Sequence, residues 1–285
     1  MSNGIDIRQN EEKSIAMLAA QKQLYKDAKN FNYAVIVLSL IFPFLMSVLL
    51  VFFQNPSFKM ASLIAVIVSI VLNTLFGNFI KRKKELAAYI QQKFDVYVYK
   101  MPWDKRLFGE ERNVNREIDK YSRSILSDER EKKLLENWYT EPNTKKPILE
   151  GILGCQREND SWDYELRQRA RGYGIGAAIM MIILVIAIGV FNQDPKDLLF
   201  ERVALIIPIV AWLSELVRIL NEDIKRLKEV ETKINTGESK SMDELQEIQR
   251  DIYLHRKDAY IIPDQLYNLF KKKDEEREKR IAQMQ

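Results

Sequence analysis

The sequence predicts an all-α membrane protein: four transmembrane helices as two hairpins, with a helical cytoplasmic domain built from the long middle segment and both tails. Three observations carry that prediction. Four stretches, Tyr33–Phe53, Met60–Ile80, Gly172–Phe191 and Val203–Val217, are nearly free of charge. A hydrocarbon core about 30 Å thick takes roughly 20 helical residues to cross. The first three stretches meet that length, and the fourth meets it if it runs from near Leu198 to near Leu220. Second, Lys and Arg are unevenly placed. Of the 44, Gln54–Lys59 and Asn192–Arg202 hold 1 and 2, whereas Met1–Asn32 holds 5, Lys81–Arg171 holds 21 and Asn221–Gln285 holds 14. By the positive-inside rule, both tails and the middle are expected on the cytoplasmic side. Third, apolar residues outside the four stretches recur at intervals of three and four, the period of a helix. The expected divisions are an N-terminal helix in 1–32, a first hairpin in 33–80, a helical segment in 81–171, a second hairpin in 172–220 and C-terminal helices in 221–285. A charged stretch of about 30 residues before the first apolar run argues against a signal peptide.

Taken in order, Met1–Gln9 reads as disordered. Asn10 is placed to cap a helix whose first turn carries Glu11 and Glu12. Met17, Ala20, Leu24, Ala28 and Phe31 form one apolar stripe, too narrow for lipid, that wants a partner helix. Asn55-Pro56 turns the first hairpin. Leu86, Tyr89, Ile90, Phe94 and Tyr97 carry the second stretch onward as a helix until "MPWDKRLFGE" (Met101–Glu110) breaks it. Two or three short helices are expected between Arg112 and Tyr139, with Ser127 as the cap of "EREKKLLENWY". Pro142, Pro147, Gly151 and Gly154 suggest an irregular connector, after which Asp160 or Ser161 would cap "WDYELRQRAR". Leu220, Ile224, Leu227 and Ile234 continue the fourth stretch to Gly237. Ser241 and Glu244 form a capping box for a helix with Leu245, Ile248 and Ile252 inside. Pro263 breaks the chain again, and the charged C-terminal residues read as a fraying helix.

Composition excludes several chemistries. With one histidine, His255, and one cysteine, Cys155, no zinc set can be assembled. No nucleophile elbow accompanies His255, and no Gly-rich phosphate loop is present. Hence no enzyme activity, catalytic residue, metal or cofactor is expected. A net charge of +4 is a poor match to DNA or RNA polymers. "RGYGIG" (Arg171–Gly176) contains the tripeptide of potassium filters, but it opens an apolar helix beside an arginine cluster. It reads instead as a Gly172/Gly176 pair that lets helices approach closely.

Glu215 is the sharpest singularity, a carboxylate among Leu213, Leu216 and Val217. At about 1.5 Å of rise per residue it lies roughly 20 Å inward of Arg202. An ionised acid at that depth costs a few kcal/mol unless it meets water or a partner. Arg218 offers an in-helix pair, and Pro208, seven residues earlier on the same face, is expected to kink the helix. Two readings stand: Glu215 marks the headgroup region, or Glu215, Ser214 and Pro208 line an aqueous path built by several copies.

The segments "LAAQKQLYKDAK" (Leu18–Lys29), "LLENWY" (Leu134–Tyr139), "WDYELRQRAR" (Trp162–Arg171) and "IYLHRKDAYIIPDQLYNLF" (Ile252–Phe270), with the helix layout, make the chain resemble the SMODS-associated four-transmembrane effectors. That resemblance covers nearly the whole chain but includes no catalytic signature. It implies a multi-pass effector of the bacterial inner membrane, idle until a cyclic-oligonucleotide signal arrives in antiphage defence and then pore-forming. Such a protein takes the lipid bilayer as its partner and acts as a homo-oligomer. Anionic ligand recognition would use Arg167, Arg169, Arg171, Arg256 and Lys257 for phosphates, with Trp138, Tyr139, Trp162 and Tyr164 for bases. A non-conducting scaffold or sensor, or a small ion channel or transporter, remains the alternative.

Overall fold

The computed structural model describes residues 2–42, 45, 46, 49, 56–190, 195–236, 240–264, 266, 269 and 280, leaving aside side chains at 195–209 and at scattered positions of 39–73 and 185–190. Ten α-helices occupy the described residues: α1 (Ile5–Gln9), α2 (Glu12–Ile36), α3 (Pro56–Tyr99), α4 (Lys105–Phe108), α5 (Asn115–Leu126), α6 (Glu129–Lys133), α7 (Glu141–Lys145), α8 (Ile148–Val190), α9 (Pro195–Asn235) and α10 (Met242–Asp258). A π-helical turn, Val37–Ile41, follows α2. Three helices set the shape: α3, α8 and α9, of 44, 43 and 41 residues, are each roughly 60–65 Å long.

Among the described residues, no helix is long and apolar enough to cross a membrane. The all-α part of the expectation stands; the four transmembrane helices in two hairpins do not. In α8 the charged residues reach Arg171, and the uncharged run 172–190 forms the rest of the helix. In α9 the Glu215–Arg218 ion pair stands near the middle of the helix.

Packing begins with α2, which lies between α3 and α5. Its predicted stripe is the buried one: Met17, Ala20, Leu24 and Ala28 enter the core, and Phe31 packs on Phe79 and Phe76 with ring centroids 4.3 and 5.5 Å apart. One core gathers side chains from the N-terminal helix (Ile15, Leu18, Leu24), from the middle (Ile90, Phe94, Tyr99, Leu135, Tyr139, Ile152) and from α10 (Leu245). Helix α3 ends where expected, with Lys100 at φ 55° ahead of Pro102. Ser241 and Glu244 form the predicted capping box at α10.

Several local expectations are corrected. Residues 5–9 form α1 instead of a disordered tail, because Arg8 Nε donates to Val98 O (2.7 Å) and Gln9 exchanges hydrogen bonds with the Tyr139 backbone. Asn10 caps the end of α1, not the start of α2; its side chain exchanges two hydrogen bonds with Asn137, whose φ is 54°. Asp128, not Ser127, caps α6, since its carboxylate accepts from the amides of Arg130 and Glu131. Asp160 and Ser161 cap nothing: they lie inside the unbroken α8. Gly151 and Gly154 also belong to α8. A Cβ at Gly151 would sit 2.2 Å from Asn3 Nδ2 and 2.6 Å from Asn143 O, and one at Gly154 would sit 2.2 Å from Asn143 Oδ1. These glycines serve close approach, not a flexible connector. The expected fraying C-terminal helix lies outside the described residues apart from Arg280.

Candidate functional site

The sequence places an acid on α3 (Asp95), two acids and an arginine on α8 (Asp160, Asp163, Arg167), an acid on α9 (Asp223) and a His-Arg pair on α10 (His255, Arg256). Helical spacing directs each toward the shared interior, and all are buried except Arg256 and Asp163, which are half-buried. Asp95 is fully buried and takes three donors: Tyr139 Oη (2.5 Å), Arg256 Nη1 (2.5 Å) and Gln249 Nε2 (2.9 Å). Gln249 also donates to Gln92 Oε1 (2.9 Å) and accepts from Gln156 Nε2 (3.1 Å), so α3, α8 and α10 share one amide chain. Asp163 receives Arg167 Nη1 (2.5 Å), and His255 Nε2 lies 2.7 Å from its other oxygen. Arg167 Nε approaches Asp223 Oδ2 at 3.2 Å without hydrogen-bond alignment. Asp223 accepts from the Tyr260 amide at 2.8 Å.

The electrostatics follow from burial. Burial pushes the Asp163 carboxyl up, but Arg167 and His255 outweigh it and hold the group at about 2. Asp160, with no cation against it, goes the other way: burial, reinforced by Asp163 and Glu231, raises it to about 8. Burial opposes the charge on Arg256, yet Asp95 and Tyr139 hold its pKa above the ordinary value. Not every polar atom here has a partner. Gln92 Nε2, Gln156 Oε1, Asp160 Oδ1, His255 Nδ1 and Arg256 Nη2 are buried without one, and each such group costs about 1–3 kcal/mol.

The sequence-derived candidates therefore separate. Arg167 and Arg256 belong to this interior network and are already engaged by acids. Arg169 pairs with Glu165 (2.7 Å) and Arg171 Nη1 donates to Asn221 Oδ1 (2.7 Å), both near the surface. Lys257, Trp162 and Tyr164 are half-buried; Tyr164 Oη accepts from Gln168 and Lys228 Nζ lies 6.0 Å from its ring. Tyr139 is in the core and Trp138 packs against it. Among the described residues nothing stands within 4 Å of a Cβ at Gly172 or Gly176. A close approach is made at Gly174, where a Cβ would come within 2.5 Å of Leu216 Cδ2. Sequence reasoning missed that residue, although the tripeptide itself contains it.

Around Glu215 the anticipated in-helix pair forms. Arg218 makes a two-pronged contact with Glu215 (2.6 and 2.9 Å) and reaches Glu222 (2.7 Å), all exposed. Ser214 is exposed with its hydroxyl donating to Ala211 O. Pro208 lies within α9, but its side chain is outside the described residues. Just inward, Leu216 and Leu220 pack with Ala170 and Ile262. The missed acids Asp95, Asp160 and Asp163 stand among polar helical neighbours (Gln91 and Gln92; Gln156 and Arg157; Arg167), so no local pattern set them apart.

Fold and site together define an all-helical protein whose body is fastened by buried charge and whose long helices carry an apolar, exposed end. Over residues 3–284 the chain matches the family described as the SMODS-associating 4TM effector domain, and it belongs to that family. It is also similar to a probable CBASS effector molecule of Bacillus cereus strain VD146, 24% identical over 290 residues that cover 95% of this chain and 94% of that protein. No solved structure matches it significantly. Neither the family description nor the relative's name carries a catalytic activity.

Proposed function

We propose that this protein is the membrane-acting effector of a CBASS antiphage system, which oligomerises and permeabilises the bacterial inner membrane when a cyclic-oligonucleotide signal arrives. The observation that carries the reading is an apolar surface that stays exposed among the described residues. Met60, Ile64, Ile67, Val68, Val71 and Leu75 follow one face of α3, and Ile179, Met180, Ile183, Leu184 and Ile186 occupy α8, each 49–63% exposed. A water-facing monomer rarely exposes so much contiguous apolar area; acyl chains and further copies of the same helices would cover it. One chain encloses too little volume for a passage, so the reading requires several copies. Glu215 and Ser214, with Pro208 on the same helix, would then face the path, and the Glu215–Arg218–Glu222 group would set its charge. For the ligand, Arg169, Arg171, Lys257, Trp162 and Tyr164 are the earlier candidates left outside the interior network. Both tails would lie in the cytoplasm, where the nucleotide is made.

A membrane-potential dye tests the reading in cells expressing the protein with or without a cyclic-oligonucleotide synthase. Depolarisation only when both are present is expected. An unchanged potential under every trigger would leave a non-conducting scaffold.

A further inference from the structure

Helix α10 is seated differently from the rest of the body. Its apolar contribution is Leu245, with Met242 and Tyr253, at the main core, and Ile248 and Ile252 against Val230 and Ile234. Most of its remaining attachment is polar and internal. Gln249 and Arg256 bind Asp95 on α3, His255 binds Asp163 on α8, and Gln246 donates to Pro102 O (2.8 Å). Taking two charges out of water nearly cancels their mutual attraction, and Arg256 Nη2, His255 Nδ1 and Gln92 Nε2 still lack partners. Such a contact specifies a position while adding little stability. It is the kind of contact that a modest free energy can undo.

The chain that leaves α10 runs to the base of the apolar end. Lys84 Nζ holds the carbonyls of Asp258 and Ala259, Asp223 holds the Tyr260 amide, and Asn32 Nδ2 donates to Ile261 O. Ile262 is buried against Ala170 on α8 and Leu216 and Leu220 on α9. That is one turn from Gly174, where α8 and Leu216 come closest, and next to Glu215. A shift of α10 therefore pulls directly on the wedge between α8 and α9.

Resting on the proposed effector role, we propose that α10 is an autoinhibitory latch: the Asp95–Arg256 and Asp163–His255 contacts hold Ile262 between α8 and α9, and their release lets the two helices move into the active arrangement. The latch predicts gain of activity, which a simple folding defect does not produce. Losing one buried partner shifts a two-state balance by at least the tenfold that about 1.4 kcal/mol represents.

Two measurements test it. In the first, amide hydrogen exchange is followed on the detergent-purified full chain. In Asp95→Asn, residues 242–262 are expected to exchange at least tenfold faster while 12–36 remain as protected as before. A uniform rise, or none, would overturn the proposal whatever the protein does to membranes. In the second, Asp95→Asn and Arg256→Gln are expressed without any synthase and membrane potential is read. Both are expected to depolarise untriggered, and Ile262→Ala, which keeps every ion pair, is expected to respond to about tenfold less synthase. Asp95→Asn and Arg256→Gln proteins that stay silent without synthase, whether or not they answer to it, overturn the latch, as does an Ile262→Ala protein that needs as much synthase as the wild type. Failure of the triggered wild type to depolarise instead overturns the effector reading and leaves the exchange result to decide the latch.

Discussion

Replacing Asp160 with asparagine is expected to flatten the dependence of stability on pH. Asp160 is 5% exposed, its Oδ1 has no partner, and its folded pKa of about 8 stands above the ordinary 3.8. Between these values the folded chain keeps a proton that the unfolded chain has released. Stability from this group is thus fully present below about 3.8 and is lost as pH rises through about 8. Each pH unit is worth about 1.4 kcal/mol, so raising pH from 6 to 8 costs the native state about 2 kcal/mol. In a chain of this size that corresponds to a fall in Tm of about 4–8 °C. At pH 6 the neutral acid and the amide are near-isosteric, so the Asp160→Asn protein is expected within about 1 kcal/mol of wild type. Cys155 supplies the readout. It is the single cysteine, fully buried, with its thiol pKa pushed up by that burial, so a thiol reagent labels it only on opening. Urea-dependent labelling at pH 6, 7 and 8 compares the two proteins, and titrations common to both cancel. Parallel pH profiles would refute the assignment of Asp160 as the buried neutral acid.

Gly151→Ala is expected to destabilise by about 1–3 kcal/mol, because the added carbon meets the Asn143 carbonyl and displaces Asn3. Gly176→Ala, which meets nothing, should instead stabilise by about 0.5–1 kcal/mol through helix propensity; thermal melts of the two give opposite signs. Ser241→Ala removes the hydroxyl that caps the Glu244 amide, leaving the backbone half of the box, and should cost about 0.5–2 kcal/mol by the same assay. Glu215→Gln breaks an exposed pair and should leave stability within about 1 kcal/mol, while lowering cation preference in an active preparation; unchanged selectivity would remove Glu215 from the path.

Much of the helical layout was legible because its signals are local. The stripe of α2, the break after Tyr99, the capping box at Ser241 and the inner face of α10 each depend on residues a few positions apart. Expectations failed where a distant neighbour overrode the local signal. Residues 5–9 are ordered by Val98 and Tyr139, and Gly151 and Gly154 make room for Asn3 and Asn143 instead of loosening the backbone. Hydropathy counted along the chain suggested four crossings; among the described residues no helix is long and apolar enough to cross a membrane.

The sequence alone determined that the chain is helical, where most helices stop, and that its cations avoid two short connections, because period, capping and composition need no partner. Tertiary structure decided what the charges are for. Arg256 reads as a ligand contact in isolation, and only the approach of Asp95, 161 positions away, makes it an internal fastening. A charge takes its meaning from the dielectric and the counter-charge around it, and both are set by chain segments that no local pattern brings together.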